Sequence, residues 1–247
     1  IPGERCKIKI DHVGRTCAYG SLVRVEKTSE HRVTPECESF GHCGGCVFWH
    51  MDYACELEQK RRRVQDALSR IGGIDFPDLQ ITGSQSIYGY RNKVQFPVQS
   101  QNGKTVAGFY RAGSHTVIPI TDCKIQPEVA KTIRAAVLSW MEKENVPAYD
   151  ERTHTGLVRH IYLRYGAKSG QTLVCTVANC EALPKKKALV REILAADVDV
   201  TGIVVNYNTK KSNVILGERF ETLYGEGYLE DMLLGLTFRL SPAAFYQ

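Results

Sequence analysis

Three cysteines within ten residues are the group in this sequence best suited to chemistry. Cys37, Cys43 and Cys46 lie in one short segment, and Gly44 and Gly45 separate the last two. A Cys-x-x-Cys turn lets both sulfurs face one centre, and glycines in the turn remove crowding side chains and permit positive φ angles. This concentration of thiols predicts a metal centre.

A thiolate metal centre takes four ligands, so the segment lacks one of them. The best supplier is Cys123, which follows an apolar, strand-like run at a point where a loop is expected. Cys55 is nearer in sequence, but it lies in a predicted helix. Zinc and an iron-sulfur cluster both accept four thiolates, so the spacing alone leaves both metals open.

Two other interpretations of the cysteines compete with a metal centre. Free cysteine is among the most frequently buried residue types, so core packing is the first alternative. Disulfides are the second, but the chain has nine cysteines, an odd number, and no signal peptide. These features favour a reducing compartment, and we expect a cytoplasmic protein.

Aromatic and cationic residues occur together before the first long strand of the central region. Arg91 and Lys93 bracket the start of a predicted strand, beside Tyr88 and Tyr90. Aromatic faces can stack on bases while cations contact phosphates, so this segment is a candidate surface for single-stranded RNA. Packing of the tyrosines in the core or at its rim is the alternative.

The cysteine pattern, with the later Asp-Cys123, resembles the cluster motif of the RNA (uracil-5-)-methyltransferases. This bacterial family methylates uridine in large-subunit ribosomal RNA. Other stretches match in the family's order, so the resemblance covers the whole chain. They are Ile1–Glu4, Tyr19–Val25, Ser29–Pro35, Tyr90–Lys93, Gly156–His160, Asn206–Gly217 and Leu240–Gln247.

The resemblance implies a 4Fe-4S cluster on the four cysteines and S-adenosyl-L-methionine as methyl donor. It also implies that Phe245 contacts the target base and that Gln247 binds the donor or lines its pocket. In this family a thiolate adds to carbon 6 of uracil, which makes carbon 5 reactive toward the methyl group. Ribosomal RNA is the implied partner, and we expect a monomer with no membrane association.

The family's pattern continues beyond Phe245 and Gln247 into a methyltransferase domain. That domain carries the nucleophilic cysteine, in an Asp-Pro-Pro-Arg context, and the general base. We therefore expect this sequence to be a fragment that binds RNA but transfers no methyl group by itself. A non-catalytic RNA-binding module or an electron-transfer module is the competing function class.

Hydrophobic periodicity predicts an α+β fold. Alternating residues at 5–13 and 21–27 indicate strands of a partial antiparallel barrel, similar to the TRAM domain of the family, over residues 1–30. The resemblance implies that residues 31–240 form a mixed α/β central domain with the cysteine-bound cluster, and that residues 241–247 begin the methyltransferase domain. The predicted helices cover residues 52–71, the stretch between Cys123 and Pro147, and the stretch after Pro184. The predicted strands lie within residues 88–120 and near 157–165, 172–178, 201–207 and 213–216.

Four local features are expected within these elements. In the first helix, an apolar stripe is predicted at Leu57, Val64, Leu68 and Ile71. Pro97 cannot donate to a ladder, so its strand is expected at a sheet edge or with a bulge. Asn102-Gly103 predicts a tight hairpin turn, and His160 is expected to be a strand residue with a structural role.

Composition is that of a folded protein that carries a small positive charge. The chain has 247 residues, 43% of them hydrophobic and 24% charged, with a formal net charge of +5. Its apolar runs are much shorter than the roughly 20 residues of a membrane helix. The positive charge is compatible with nucleic-acid binding but indicates it only weakly.

Overall fold

A computed structural model describes residues 1–246. By contacts between Cα atoms the chain divides into two compact units, and each is considered by itself. The first unit contains residues 1–40 and 46–85, and the second contains residues 41–45 and the chain from Ser86 onward. The domain boundaries expected near residues 30 and 240 were based on the family resemblance and remain predictions.

The first unit opens with an antiparallel hairpin. Strand β1 (Arg5–Val13) pairs with β2 (Ala18–Lys27). Both strands were predicted, although β2 starts three residues earlier than expected. No other strand joins this pair within residues 1–246, so the expected barrel does not close in the described part of the chain.

Helix α1 (Tyr53–Asp66) follows, and its start agrees with the prediction. The carboxylate of Asp52 accepts a hydrogen bond from the backbone N–H of Cys55 at 2.7 Å, which caps the first turn. The helix continues as a π-helical turn, Ala67–Ile71, and ends at two glycines. The predicted apolar stripe is not a buried face: Val64 is 49% exposed and Ile71 is 88% exposed.

The second unit is built on a seven-stranded mixed sheet. Its strands, in spatial order, are β5 (Val117–Pro119), β4 (Lys104–Tyr110), β3 (Lys93–Gln101), β6 (Val158–Tyr165), β7 (Thr172–Ala178), β8 (Gly202–Tyr207) and β9 (Arg219–Gly225). All neighbours are antiparallel except β7 and β8, which are parallel. A separate hairpin consists of β10 (Leu229–Leu233) and β11 (Leu236–Leu240).

Two helices cover one face of this sheet. Helices α2 (Glu128–Lys143) and α3 (Lys186–Leu194) lie close to the predicted positions. Ile133 and Trp140 of α2 and Ile193 of α3 are fully buried in one core with Phe96 and Ile161 of the sheet. Successive strand residues point to opposite faces, so alternate residues of the same strands must line the other face.

The other face carries a second, smaller core. Tyr162, Cys175 and Val204 are buried there, and residues 215–216, 244 and 246 pack against them. The β8–β9 connection and the segment after β11 therefore lie over the same face of the sheet.

The structure corrects two strand predictions. Pro97 was expected on an edge or bulged strand, but β3 is internal: it pairs with β6 up to Pro97 and with β4 from Val98 onward. The missing N–H of proline is tolerated because the ladder changes partner at that residue. The strand expected near residues 213–216 is absent, because side chains rather than a neighbouring strand bind this backbone.

The Asn102-Gly103 turn between β3 and β4 is as predicted. Asn102 has φ 51° and Gly103 has φ 76°, which is the left-handed conformation that a two-residue hairpin loop requires. None of the helices within residues 1–246 has the length and apolar character needed to cross a membrane.

Candidate functional site

The turn after Cys43 is held against the end of β4. The backbone of Cys43 bridges that of Arg111, and the N–H of Gly44 donates to the carbonyl of Tyr110 at 3.0 Å. A Cβ on Gly44 would lie 3.2 Å from the Tyr110 carbonyl oxygen and from the Ala112 backbone. Glycine at this position therefore allows the close approach of the two chain segments.

The sulfur of Cys43 already accepts a hydrogen bond. The N–H of Gly45 lies 3.3 Å from Cys43 Sγ, and a Cβ on Gly45 would lie 3.3 Å from the same sulfur. Hydrogen bonds to ligand sulfurs are a usual feature of iron-sulfur sites, where they adjust the cluster potential. The local geometry of this turn therefore fits a thiolate ligand.

Cys123 lies in the connection between β5 and α2. Its carbonyl accepts the N–H of Gln126 at 3.1 Å, and its neighbours Asp122 and Lys124 form an ion pair at 2.8 Å. Its side chain is half-buried, as are those of Cys37, Cys43 and Cys46. Cys37 and Cys46 belong to the first unit, whereas Cys43 and Cys123 belong to the second.

The described residues contain no group of three or more His, Cys, Asp or Glu side chains arranged to hold a metal ion. None of the nine cysteines in this part of the chain is in a disulfide. The assignment of the four cysteines as ligands therefore stays a prediction from sequence.

Arg91 lies two residues before the start of β3. Its backbone N–H donates to the carbonyl of Ile125 at 3.0 Å. Its guanidinium Nη2 lies 3.5 Å from the carbonyl oxygen of Gly45. Arg91 thus contacts the backbone of the cysteine turn and the stretch that follows Cys123.

Lys93 begins β3 and lies on the face opposite α2 and α3. The ammonium Nζ of Lys93 is 5.7 Å from the centre of the Phe245 ring, a cation–π distance. Burial is the main cause that lowers the pKa of Lys93, and the nearby positive charge of Arg164 lowers it further. Phe245 itself is 90% exposed. Two of the predicted site residues are therefore brought together, with the aromatic face open to solvent.

Two residues of β6 fix the backbone of the segment that carries Phe245. Arg164 donates through Nη1 to the carbonyl of Tyr246 at 2.7 Å and through Nη2 to that of Pro242 at 3.5 Å. The hydroxyl of Tyr162 donates to the same Pro242 carbonyl at 2.7 Å. Arg164 and Tyr162 are both buried. We call these contacts the Arg164 clamp.

A second attachment comes from Asp231 on β10. This buried carboxylate accepts the backbone N–H groups of Ala167, Lys168 and Ser169 at 3.0–3.1 Å. The hydroxyl of Tyr246 donates to it at 3.4 Å. The residues on both sides of Phe245 are therefore held, while Phe245 projects outward.

Sequence reasoning missed Arg164, Tyr162 and Asp231. A signal for the first two existed, because β6 places His160, Tyr162 and Arg164 at every second position, between the apolar residues Ile161 and Leu163. Nothing local marks Asp231, whose partners are distant in sequence. Gln247, the expected donor-binding residue, lies outside the described residues.

His160 was expected to be a structural strand residue, and it lies buried on β6. Burial is the main cause that lowers its pKa to about 4, and the neighbouring charge of Arg159 adds to the effect. The imidazole is therefore neutral at pH 7. Its Nδ1 has no hydrogen-bond partner among the described residues.

Comparison with known proteins identifies relatives for the whole chain, although no protein-family model matches it. An uncharacterized RNA methyltransferase from Bacillus cereus is 38% identical over 248 residues, which cover 100% of this chain and 54% of the relative. An uncharacterized RNA methyltransferase from Clostridium tetani is 37% identical over 247 residues, with the same shares covered. The chain therefore spans about half the length of the curated relatives that it matches.

The fold resembles that of a solved structure. The crystal structure of Pyrococcus abyssi tRNA (uracil-54, C5)-methyltransferase, in complex with S-adenosyl-L-homocysteine, superposes with a TM-score of 0.73 at 22% identity. The match covers 100% of this chain and 55% of that protein. At this level of identity the likeness establishes the mixed α/β architecture.

Proposed function

We propose that this chain is the RNA-binding and iron-sulfur portion of an S-adenosyl-L-methionine-dependent RNA (uracil-5-)-methyltransferase. Relatives at 37–38% identity are named RNA methyltransferases, and the structural neighbour is a uracil C5 methyltransferase bound to the demethylated form of that donor. One comparison is by sequence and the other is by fold, and both support the same class of reaction.

The observation that carries the proposal is the position of Phe245, whose ring is exposed while the backbone around it is held in place. An exposed phenylalanine makes few contacts that would fix its position. Here the buried side chains of Arg164, Tyr162 and Asp231 hold its neighbours through hydrogen bonds. A flat aromatic ring beside an ammonium group suits a base removed from its stack, because the ring stacks on the base while the cation meets negative charge. In this proposal Phe245 and Lys93 contact the target uracil, and Arg91 contacts the phosphate backbone.

The thiols of this chain are poor candidates for the nucleophile that adds to uracil. A thiolate is the reactive form of cysteine. Burial raises the pKa of Cys175 to about 12 and also raises the pKa of Cys180. Neither they nor Cys6, Cys17 and Cys55 lie in an Asp-Pro-Pro-Arg context. We therefore propose that residues 1–247 alone transfer no methyl group.

For the cluster, we propose that Cys37, Cys43, Cys46 and Cys123 hold 4Fe-4S. The glycine turn and the N–H bond to Cys43 Sγ support this ligand role. Such a cluster supplies strong covalent cross-links between distant parts of the chain, and its metal-binding free energy adds to folding. A structural or RNA-positioning role is favoured over electron transfer because Arg91 contacts the carbonyl of Gly45 in this turn.

For the substrate, we propose uracil in 23S ribosomal RNA. We also propose that the protein is a monomer and is located in the cytoplasm. The structural neighbour acts on uracil 54 of tRNA, so tRNA is the competing substrate.

The test is methyl transfer by the whole protein, purified anaerobically, from labelled S-adenosyl-L-methionine to 23S ribosomal RNA and to tRNA transcripts. We expect 5-methyluridine in the ribosomal RNA, located by mass spectrometry, and none with residues 1–247 alone. Label confined to tRNA would reject the ribosomal substrate. No label in either RNA would reject the proposed activity.

A further inference from the structure

The connection between β8 and β9 is an exposed loop whose backbone is fixed from inside the protein. Arg159 is 5% exposed and reaches under the loop. Its Nη1 donates to the carbonyl of Asn208 at 3.0 Å and to that of Lys210 at 2.8 Å, and its Nη2 donates to that of Ser212 at 2.9 Å. Its guanidinium also stacks on Tyr149, 4.6 Å from the ring centre.

Two buried asparagines extend this arrangement along the same backbone. Asn208 Nδ2 donates to the carbonyls of Val214 at 2.7 Å and Ile215 at 2.9 Å. Asn206 Nδ2 donates to the carbonyls of Gly217 at 2.9 Å and Arg219 at 3.2 Å. The asparagine oxygens accept backbone N–H groups in return, from Lys210 at 3.1 Å and Gly217 at 2.7 Å.

These bonds give the loop a definite polarity. The carbonyls of residues 208, 210, 212, 214 and 215 all point toward buried donors. Carbonyl oxygen is the negative end of the peptide dipole, so the loop turns much of its negative charge inward. The side chains of residues 209–214 are exposed, and we call this stretch the lysine loop. An outer surface with fewer free carbonyls is favourable for an anion.

The charges of Arg159 and of the lysine loop also favour binding of an anion. No carboxylate lies within ion-pair distance of Arg159 in residues 1–246, so its buried charge is balanced only by carbonyl dipoles and a ring face. Lys210 pairs with Glu218 at 2.6 Å, while Lys211 has no ion pair among the described residues. The lysine loop therefore carries a net positive charge on a backbone that is already ordered.

We propose that the lysine loop, residues 209–214, is a preorganised binding element for the phosphodiester backbone of RNA. Lys211 contacts phosphate, and Arg159 is a positioning residue that keeps the loop in its binding conformation. Preorganisation increases affinity because the loop loses little conformational entropy when RNA binds. The inference rests on the proposed function only in taking RNA as the ligand.

The first test compares Lys211→Ala with Lys187→Ala in the whole protein, using single-stranded polyuridylate as the probe. Lys187 is an exposed lysine of α3, on the other face of the sheet. We expect Lys211→Ala to weaken binding about fivefold and to reduce the slope of log K against log salt by roughly 0.7. Lys187→Ala should change neither. Equal affinities of the two variants would overturn the proposal.

The second test separates loop order from loop charge. Arg159→Lys keeps the positive charge but cannot bridge three carbonyls. We expect faster hydrogen exchange at the Lys210 and Gly217 amides and weaker RNA binding, while Lys211→Ala leaves exchange unchanged. If Arg159→Lys speeds exchange but leaves affinity unaltered, preorganisation is refuted.

The outcome is independent of the methyl-transfer test. If the whole protein methylates RNA and Lys211→Ala has an unchanged KM for that RNA, the loop proposal fails while the proposed function stands. If polyuridylate binding depends on Lys211 but no RNA is methylated, the proposed function fails and the loop proposal stands.

Discussion

Lys93 and Arg164 occupy directly paired positions on the antiparallel strands β3 and β6. Like charges at such positions normally destabilise a sheet. Here Nη1 and Nη2 of Arg164 donate to the carbonyls of Tyr246 and Pro242, whereas Lys93 extends over Phe245. The pair therefore creates a positive site beside an open aromatic ring, and an anionic ligand would relieve its repulsion.

The Arg164 clamp should be required for activity more than for folding. Arg164→Lys removes the paired donors that hold Tyr246 and Pro242 but keeps the charge. We expect kcat/KM of the whole protein to fall by about tenfold or more, because a displaced Phe245 no longer meets the target base. Steady-state methyl transfer measures kcat/KM, and thermal unfolding of the same samples measures stability.

Two further variants test whether the loss of activity in Arg164→Lys is specific to the Arg164 clamp. Tyr162→Phe removes one buried hydrogen bond to Pro242 and should cost about 1 kcal/mol of stability with a smaller loss of activity. Arg191→Lys, on the exposed surface of α3, is the matched control and should leave both unchanged. A loss of kcat/KM in Arg164→Lys no larger than in Arg191→Lys would contradict a positioning role.

Arg91 should contribute to RNA affinity without sequence preference. We expect Arg91→Ala to weaken binding of different RNA sequences uniformly, by about 1 kcal/mol, and more at low salt than at high salt. Titration of the full chain with two unrelated RNA sequences at several salt concentrations measures this. Arg191→Ala is the control.

Because Arg91 also contacts the carbonyl of Gly45, iron content must be measured in the same samples. Loss of affinity with unchanged iron supports a phosphate contact. Loss of both RNA affinity and iron would indicate that Arg91 stabilises the cysteine turn, and the prediction of a phosphate contact would be wrong.

The cluster prediction is tested by anaerobic purification and metal analysis. We expect iron and sulfide in the wild-type protein, and a loss of both in Cys123→Ser together with a lower unfolding temperature. Cys180→Ser is the appropriate control. Cys175 is unsuitable because it is fully buried, so a serine hydroxyl there is destabilising by itself. Stoichiometric zinc without sulfide would exclude the iron-sulfur assignment.

Stability should depend on His160 at mildly acidic pH. Its pKa is lowered to about 4 in the folded chain, so the unfolded chain binds the proton more readily. The stabilising contribution is complete above about pH 6.5 and is lost as pH falls toward 4, by up to about 3 kcal/mol. Urea unfolding between pH 4 and pH 7 measures it. His160→Gln should flatten this part of the profile, and an unchanged profile would show that other groups cause it.

Most elements of the second unit were predictable because their side chains follow the periods of regular structure. The α2 residues Ile133, Val137 and Trp140 recur at helical spacing, and all are buried. The Asn102-Gly103 turn was predictable from local φ preference. In contrast, the β10–β11 hairpin turns at Leu234 and Gly235, with φ 51° and 81°. Leucine rarely adopts that conformation, so Gly235 alone marks the turn, and a single glycine is a weak turn signal.

The site was only partly predictable, for a different reason. Phe245 and Lys93 were named from the resemblance and from charge beside aromatic residues, and the fold brings them together. The residues that hold them, Arg164 and Asp231, act through backbone groups far away in sequence. Such contacts depend on strand register and topology, which local spacing does not determine.

The central position of β3 has a consequence for how the chain folds. The β3–β4 and β6–β7 pairs are local in sequence, whereas β3 and β6 are separated by β4, β5 and α2. Closing that longer segment costs entropy before its contacts form, so we expect the β3–β6 ladder to assemble after the local pairs. Lys93 meets Arg164 only in that late step. A folding intermediate that contains only the local pairs would therefore lack the site formed by Lys93 and Phe245, which limits premature binding of the target base by incomplete chains.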